Sequence, residues 1–593
     1  MAHGSDDGAI DNAKATHGHD QHEQHGGNDG HLAAVTDGVA LVSKLELSRV
    51  VEGKIADVAV FGDYAYLAAW GGATCKDNGV HVVDISDVEN PRAVAFVPSK
   101  EGSYPGEGVQ VTSISTPSFT GEILVTNNEI CKDKAGFGGM NVYDVTNPAR
   151  PTPLAVGVGD STDGGNQKKT ANEIHSVFAW DAGNKAYAVM VDNEEALDVD
   201  IMDITDPKKP VLIAEYDLAA RFPQILQAGL PEVFLHDMVV KEIAGRQVML
   251  LSYWDGGYVQ MDVTDPTNPT YIGDTDFATP DPEAAESGFL VKPEGNAHQA
   301  EFTMDSAFVL AADEDFSPFA LTTRNVDDGT DITAGQGSNT PPLEQGDTIT
   351  GQSVFAGRAC PGDDAVPAGN GSQIAVVERG LCTFTEKVAA VEAAGGYAAV
   401  LVFNRTGSDG CNGSLGMSVE GDIPTFGVAP RGEGFAIFDS PYDNDDCLAG
   451  TGPSRLPVDV GTLGDTLTFS SQFDGWGYVH LFENEAGKMT ELDTYAVPEA
   501  HDPDHATGSG DLSVHEVATS AQDKNLAYLS YYAAGLRVID ISSGEIVEVG
   551  AFIDEGGNNF WGVEVFEQDG QEYVALSDRD FGLYILKVAP PAP

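Results

Sequence analysis

HVVDISDVENP (81–91) ends an apolar alternation in an aspartate, follows it with a hydroxyl residue and turns at a proline. The string returns as NVYDVTNPARP (141–151), DIMDITDPKKP (200–210) and VQMDVTDPTNP (259–269), and in shortened form as LRVIDISSGEI (536–546). Its aspartates are Asp84, Asp144, Asp203, Asp262 and Asp540, and the first three steps are 60, 59 and 59 residues. Degenerate copies, GYVHLFENEAG (477–487) and GLYILKVAP (582–590), put Phe482 and Lys587 at the marker position. Seven units result, and the 220 residues from Asp262 to Phe482 are too many for one of them. Each unit reads as four short strands, and four strands in about 40–60 residues, repeated, spell a β-propeller. The last unit stops after three strands, so LVSKLEL (41–47) is expected to supply the missing outer one.

The expected fold class is therefore an all-β seven-bladed β-propeller, closed by an N-terminal strand, with an α/β domain inserted in blade five. The expected boundaries are a His/Gly/Asp-rich tail at 1–40, propeller at 41–335, the insertion at 336–462, and propeller again at 463–593.

Composition narrows the function. The chain carries 93 acidic against 31 basic residues, a formal net charge of −62. Nucleic acid is excluded as a partner, since its phosphates are held by clustered Lys and Arg, and anionic lipid surfaces are disfavoured. No run approaches the roughly 18 apolar residues of a membrane-spanning helix. The six cysteines, Cys75, Cys131, Cys360, Cys382, Cys411 and Cys447, contain no CxxC pair, which argues against structural zinc and thioredoxin-like chemistry. Three disulfides and an oxidising compartment are expected instead, so the protein is read as extracellular or surface-bound, its leader removed. Six cysteines allow 15 connectivities. Cys75 and Cys131 hold matching positions in adjacent blades and are expected to pair.

With the marker motif in hand, the units resemble LVIVD repeats, and their arrangement resembles the exported choice-of-anchor-B-type propellers of bacteria and archaea. The resemblance covers most of 41–335 and 466–593 and implies fold and location rather than an activity. The insertion differs in character. SQIAVVERGLCTFTEKVAAVEAAGGYAAVLVFN (372–404) reads as strand, turn, amphipathic helix and strand, with Ala389, Ala390, Ala393 and Ala394 as a small-residue stripe expected to pack on a sheet. Its RG-x-CTF-x-EK pattern and the later IPTF (423–426) resemble the protease-associated (PA) domain. That resemblance implies an interaction module or lid, and bridges Cys360–Cys382 and Cys411–Cys447 within it. No protease signature accompanies it: His515-Glu516 is followed by no second His at HExxH spacing, and GxSxG is absent.

Candidate chemistry rests on a recurring histidine. His175, His236, His298 and His515 open the first strands of four successive units. First strands line a propeller's channel and start on one face, and the loop after each second strand returns there. Those loops carry Asp192, Glu194, Asp255, Asp313, Glu314 and Asp315. Imidazoles with carboxylates suit Cu, Zn or Fe. The alternative is that each His bonds to an Asp of its own blade, His175 to Asp192, His236 to Asp255 and His298 to Asp313. Two further metal readings are weaker. The tail holds His3, His17, His19, His22, His25 and His31, and the oxygen-rich segments 163–166 and 501–511 suggest Ca²⁺.

Two functions follow. One is a binding or surface scaffold for a protein, peptide or glycan, with the PA domain as recognition module or lid. The other is a metal-dependent, oxidoreductase-like enzyme. Sequence assigns neither catalytic residues nor an oligomeric state.

Overall fold

The structure is a computed structural model that describes residues 31–588 apart from 48–54, 71–77, 131–135, 162–170, 195–196, 228–229, 231–232, 287–291, 294, 316–317, 338–339, 344–345, 407, 412–414, 416, 418 and 429. Cys75, Cys131, residues 163–166 and all tail histidines except His31 lie outside the described residues. The chain divides into two compact units, one formed by Phe316–Gly475 and the other by the described residues before and after it.

In the second unit the described strands form four four-stranded antiparallel sheets, a five-stranded one, a two-stranded pair and an eight-stranded one that joins two sets of four where Trp254 pairs with Ala297; the sets are taken below in chain order. The first sheet is Ile55–Phe61, Tyr64–Ala69, Gly79–Asp84 and Arg92–Pro98; the third is Ile174–Asp181, Ala186–Asp192, Val199–Asp203 and Val211–Tyr216. The fifth takes Ala297–Phe302 and Phe308–Asp313 from before the insertion and Val479–Glu485 and Lys488–Tyr495 from after it. The seventh, Phe560–Gln568, Gln571–Asp578 and Gly582–Val588, gains its fourth strand from Val39–Glu46. First strands lie side by side from sheet to sheet, and the cycle closes from the seventh back to the first. This is a β-propeller arrangement.

The repeated motif has a local cause. Asp84 Oδ1 accepts from the Ser86 N–H at 3.0 Å, and Asp144, Asp203, Asp262 and Asp540 accept likewise from the residue two further on. Each marker Asp thus caps the turn out of its third strand, the role for which short polar side chains are favoured. Side chains near the start of the first strands tie one sheet to the next. Asp57 Oδ2 accepts from Val109 N–H at 2.9 Å, Gln299 Oε1 from Val517 N–H at 2.9 Å, and Glu516 Oε2 from Val563 N–H at 3.0 Å. The cavity these strands enclose is about 400 Å³ and is lined by carboxylates, among them Asp57, Asp237, Glu301 and Glu516.

The other unit has an eight-stranded mixed sheet whose Thr348–Phe355, Gln373–Glu378, Tyr397–Phe403 and Thr425–Val428 run parallel. Both faces are covered, as parallel strands require: Ile374 and Val376 enter one core, Ala375 and Val377 the other. The unit is wider at both ends than 336–462 because Leu463–Phe473 pairs with Phe319–Asn325 and with Thr348–Phe355. Helix Phe384–Ala394 starts with a reciprocal capping box between Thr383 and Glu386. It buries Phe384, Lys387, Val388 and Val391, and Ala390 packs against the same core, so the expected alanine stripe is corrected in part. Ala389 and Ala393 are exposed, because the larger apolar side chains one turn apart take the inner face. Cys360–Cys382 and Cys411–Cys447 are disulfide-bonded.

Candidate metal centre

At one end of the propeller channel, four successive first strands bring His175, His236, His298 and His515 together with ring centroids 4.4, 4.3 and 4.3 Å apart in sequence. None is more than 4% exposed. Their shared partner is Glu107, which the sequence reading passed over. Its carboxylate lies 2.8 Å from His175 Nε2, 3.1 Å from His515 Nε2, 3.5 Å from His298 Nε2 and 4.0 Å from His236 Nε2. Gly108 explains how it gets there. With φ +72° it takes a left-handed bend, and any Cβ would stand 2.4 Å from the Val177 nitrogen. The only cue in the sequence is that Glu107 sits between two glycines in PGEGV (105–109).

Two more carboxylates complete the cluster. Glu129 Oε1 is 2.7 Å from His175 Nδ1. Glu314 Oε2 is 3.2 Å from His298 Nε2, its Oε1 is 3.7 Å from His515 Nε2, and the Tyr532 hydroxyl donates to it. Glu129 follows a second strand, so the loop rule that selects Glu314 reaches it too; its own unit has no histidine to draw attention. Between rings, His175 Nε2 and His236 Nε2 are 2.9 Å apart. His298 differs from the others: at 1% exposure its Nδ1 has no hydrogen-bond partner among the described residues, and its Nε2 meets the Glu314 and Glu107 carboxylates as ion pairs at 3.2 and 3.5 Å.

Electrostatics alternate along the row. Burial opposes a charged His175, but Glu107 and Glu129 outweigh it and hold its pKa well above the usual value. Burial and the neighbouring cations at His298 and His175 push His236 well below. His298 is buried too, yet Glu314 and Glu107 raise it to about 9, while burial and His298 lower His515 to about 4. Glu107 pays for burial but is held well below its usual value by His175 and His236. A borderline transition metal takes neutral imidazole nitrogens and ionised carboxylates, so an ion here would displace the protons held by His175 and His298. Three donor triads exist here: Glu107–His175–His236, Glu107–His298–His515 and His236–His298–Glu314, each with ligand atoms within 4.8 Å of one another.

The remaining expected carboxylates lie elsewhere. Asp313 accepts from the Tyr258 hydroxyl at 2.7 Å and sits 2.6 Å from His480 Nε2, not against His298. Asp192 accepts from Asn172 at 2.8 Å and lies in a separate buried group with Asp160 and Asp200. Its Oδ1 accepts from the Glu194 N–H at 2.7 Å. Asp255 is buried against Gly295, and Asp315 is buried with its N–H on Ser513. In 501–511, Asp502 caps a short turn by accepting from the Asp504 N–H at 2.9 Å.

Residues 348–437 match the PA domain and residues 52–96 match the LVIVD repeat. The insertion carries a PA domain. Two disulfides and this domain are typical of extracellular proteins. No curated protein matches the chain. Among solved structures it is similar to Sqt1 of Saccharomyces cerevisiae, at 10% identity over 94% of this chain and 100% of that one, with a TM-score of 0.38. It is similar also to the N-terminal domain of Nup159, at 7% identity over 94% and 95%, with a TM-score of 0.37. A zinc aminopeptidase from Bacillus subtilis matches at 18% identity over 31% of this chain and 36% of its own, with a TM-score of 0.19. The match therefore spans about a third of the aminopeptidase.

Proposed function

We propose that the protein is an exported interaction scaffold whose seven-bladed propeller holds a transition metal, Cu, Zn or Fe, at one end of its channel. The observation that carries the metal is the convergence of four buried imidazoles on Glu107. Glu129 on the far nitrogen of His175 is the carboxylate that orients a ligating imidazole. The PA unit supplies the recognition surface for a protein, peptide or glycan partner.

The test is metal content by mass spectrometry on the full chain with His3, His17, His19, His22 and His25 changed to Gln, so that the tail binds nothing. A bound transition metal is expected, lost when His236 and His298 are both changed to Ala. A parent protein that stays metal-free after incubation with Cu²⁺, Zn²⁺ and Fe²⁺ overturns the reading.

An oxidoreductase-like activity is the second reading, favoured by an aromatic relay from the cluster. His515 lies 4.3 Å from Trp561, Trp561 lies 5.0 Å from Trp70, and Trp70 lies 5.3 Å from Tyr104, centroid to centroid. Reversible reduction of the copper-loaded protein, slowed in Trp561→Leu, is the expected result. Unchanged electron-transfer rates in that variant sink it.

A further inference from the structure

We infer that the cluster is a two-metal centre in which Glu107 bridges two divalent transition-metal ions, each held by a pair of histidines. The inference rests on the metal reading above and adds to it the number of ions and the bridging ligand.

The two oxygens of Glu107 divide the four rings. Oε2 faces His175 Nε2 at 2.8 Å and His236 Nε2 at 4.0 Å. Oε1 faces His515 Nε2 at 3.1 Å and His298 Nε2 at 3.5 Å. Each oxygen with its two imidazoles makes a compact triad of buried donors, and the two triads have only Glu107 in common. Glu314 repeats the division within the second triad, with Oε2 towards His298 and Oε1 towards His515. Glu129 reaches only His175, on the nitrogen turned away from Glu107.

One ion does not account for this set. Zinc takes imidazole nitrogens at about 2.0–2.1 Å, so two donors on one ion are at most about 4.2 Å apart. The rings instead follow one another from the third sheet to the sixth, each about one ring spacing from the next. An ion placed in any of the three triads, His236–His298–Glu314 included, leaves two of the four imidazoles unused. A carboxylate that offers one oxygen to each of two ions fits the separation of about 3.5–4 Å found in two-metal sites. His298, whose Nε2 faces the Glu314 and Glu107 carboxylates at 3.2 and 3.5 Å, then becomes a ligand of the second ion. The channel cavity reaches this end of the strands, with Glu107 and His298 among its lining, so the pair of ions faces a space of about 400 Å³.

Zinc per chain is measured on the full-length protein with the five tail substitutions, after Zn²⁺ loading and desalting. The parent is expected to hold two ions. The pair variants His175→Ala/His236→Ala and His298→Ala/His515→Ala are each expected to keep one. A parent with one ion overturns the bridge and leaves the metal reading standing; a parent with none overturns both. Loss of both ions from either pair variant, with its circular dichroism unchanged, overturns the division into two half-sites. A second measurement does not depend on those variants folding. In the Cu²⁺-loaded parent, the electron paramagnetic resonance signal is expected to fall well below that of two isolated coppers, and Glu107→Gln is expected to restore it. A full two-copper signal in the parent excludes Glu107 as a bridge.

Discussion

The two units bury charge in opposite ways. In the PA unit, the fully buried Arg431 directs one terminal nitrogen to Glu378 and the other to the Asn404 carbonyl, its guanidinium 5.1 Å from the Phe435 ring centroid. Lys387, equally buried, donates to the Gly380 carbonyl at 2.6 Å and the Arg358 carbonyl at 3.1 Å. The terminal nitrogens of both are met by the protein itself, while Arg431 Nε and Glu378 Oε2 have no hydrogen-bond partner among the described residues. In the propeller, four imidazoles share Glu107, and Glu129 and Glu314 pair with three of them. The first network closes on protein groups at its charged ends, whereas the second presents donors open to an ion, and we read the first as structural and the second as the proposed site.

The largest effect should come from opening the closed network. Arg431→Met leaves Glu378 charged and buried with its cation gone, and losing one partner of a buried pair costs about 3–5 kcal/mol. Denaturant unfolding should show this loss in the PA unit alone, and Glu378→Gln on top of it should recover most of it. A single mutant within about 0.5 kcal/mol of the parent would break the comparison from the PA side.

The converse experiment loads the open network. Metal that binds only the folded state at 100 times its Kd stabilises by about 2.7 kcal/mol. The thermal transition of the propeller should rise on metal addition, and that of the PA unit should not. Equal shifts in both would mean that the ions act on the whole surface and not at Glu107.

Within the propeller, His480 provides a closed histidine to set against His298. Its Nδ1 is 2.6 Å from Glu491 and its Nε2 is 2.6 Å from Asp313. Burial opposes its charge, but Asp313 and Glu491 outweigh that and hold its pKa well above 6.5. A raised folded pKa means that the folded state keeps a proton the unfolded chain gives up. The stabilisation is therefore complete below about 6.5 and disappears as pH rises through the folded value. His480→Gln should cost about 1–3 kcal/mol at pH 6, with the gap to the parent closing at alkaline pH in a series of urea titrations. A gap that widens with pH would show that the ring is buried neutral.

These contrasts also show what a sequence carries. The repeated sheets are legible because period-2 alternation recurs and, in five of the units, ends in a turn-capping Asp. Their closing strand is legible because the last unit is visibly short. Val35–Asp37, which adds a fifth strand to the sixth sheet by pairing with Ala551–Ile553, is too short to show a period. The histidines could be found since one position repeats in four units. Glu107 could not, because a glycine bend rather than the repeat aims it, and no within-blade aspartate reading anticipates a carboxylate shared across sheets. The PA helix misled for a simpler reason: alanines mark a possible close approach, but the burial of Phe384, Val388 and Val391 outweighs it, each contributing about 1.5–3 kcal/mol.

The smallest effect lies in the CTF-x-EK motif itself. Thr383 accepts from the Glu386 N–H at 3.0 Å, and Glu386 returns a carboxylate oxygen to the Thr383 N–H at 2.9 Å. Thr383→Ala removes one half of this box and should cost about 1 kcal/mol. The loss should appear in the PA transition only, since Lys387 and Arg431 keep their partners and the propeller is untouched. Metal stoichiometry should stay at the parent value, a result that separates damage to a helix start from damage to the centre. If instead Thr383→Ala changed metal content, the recognition unit and the metal centre would be energetically coupled, and the division between a structural and a functional cluster would have to be redrawn.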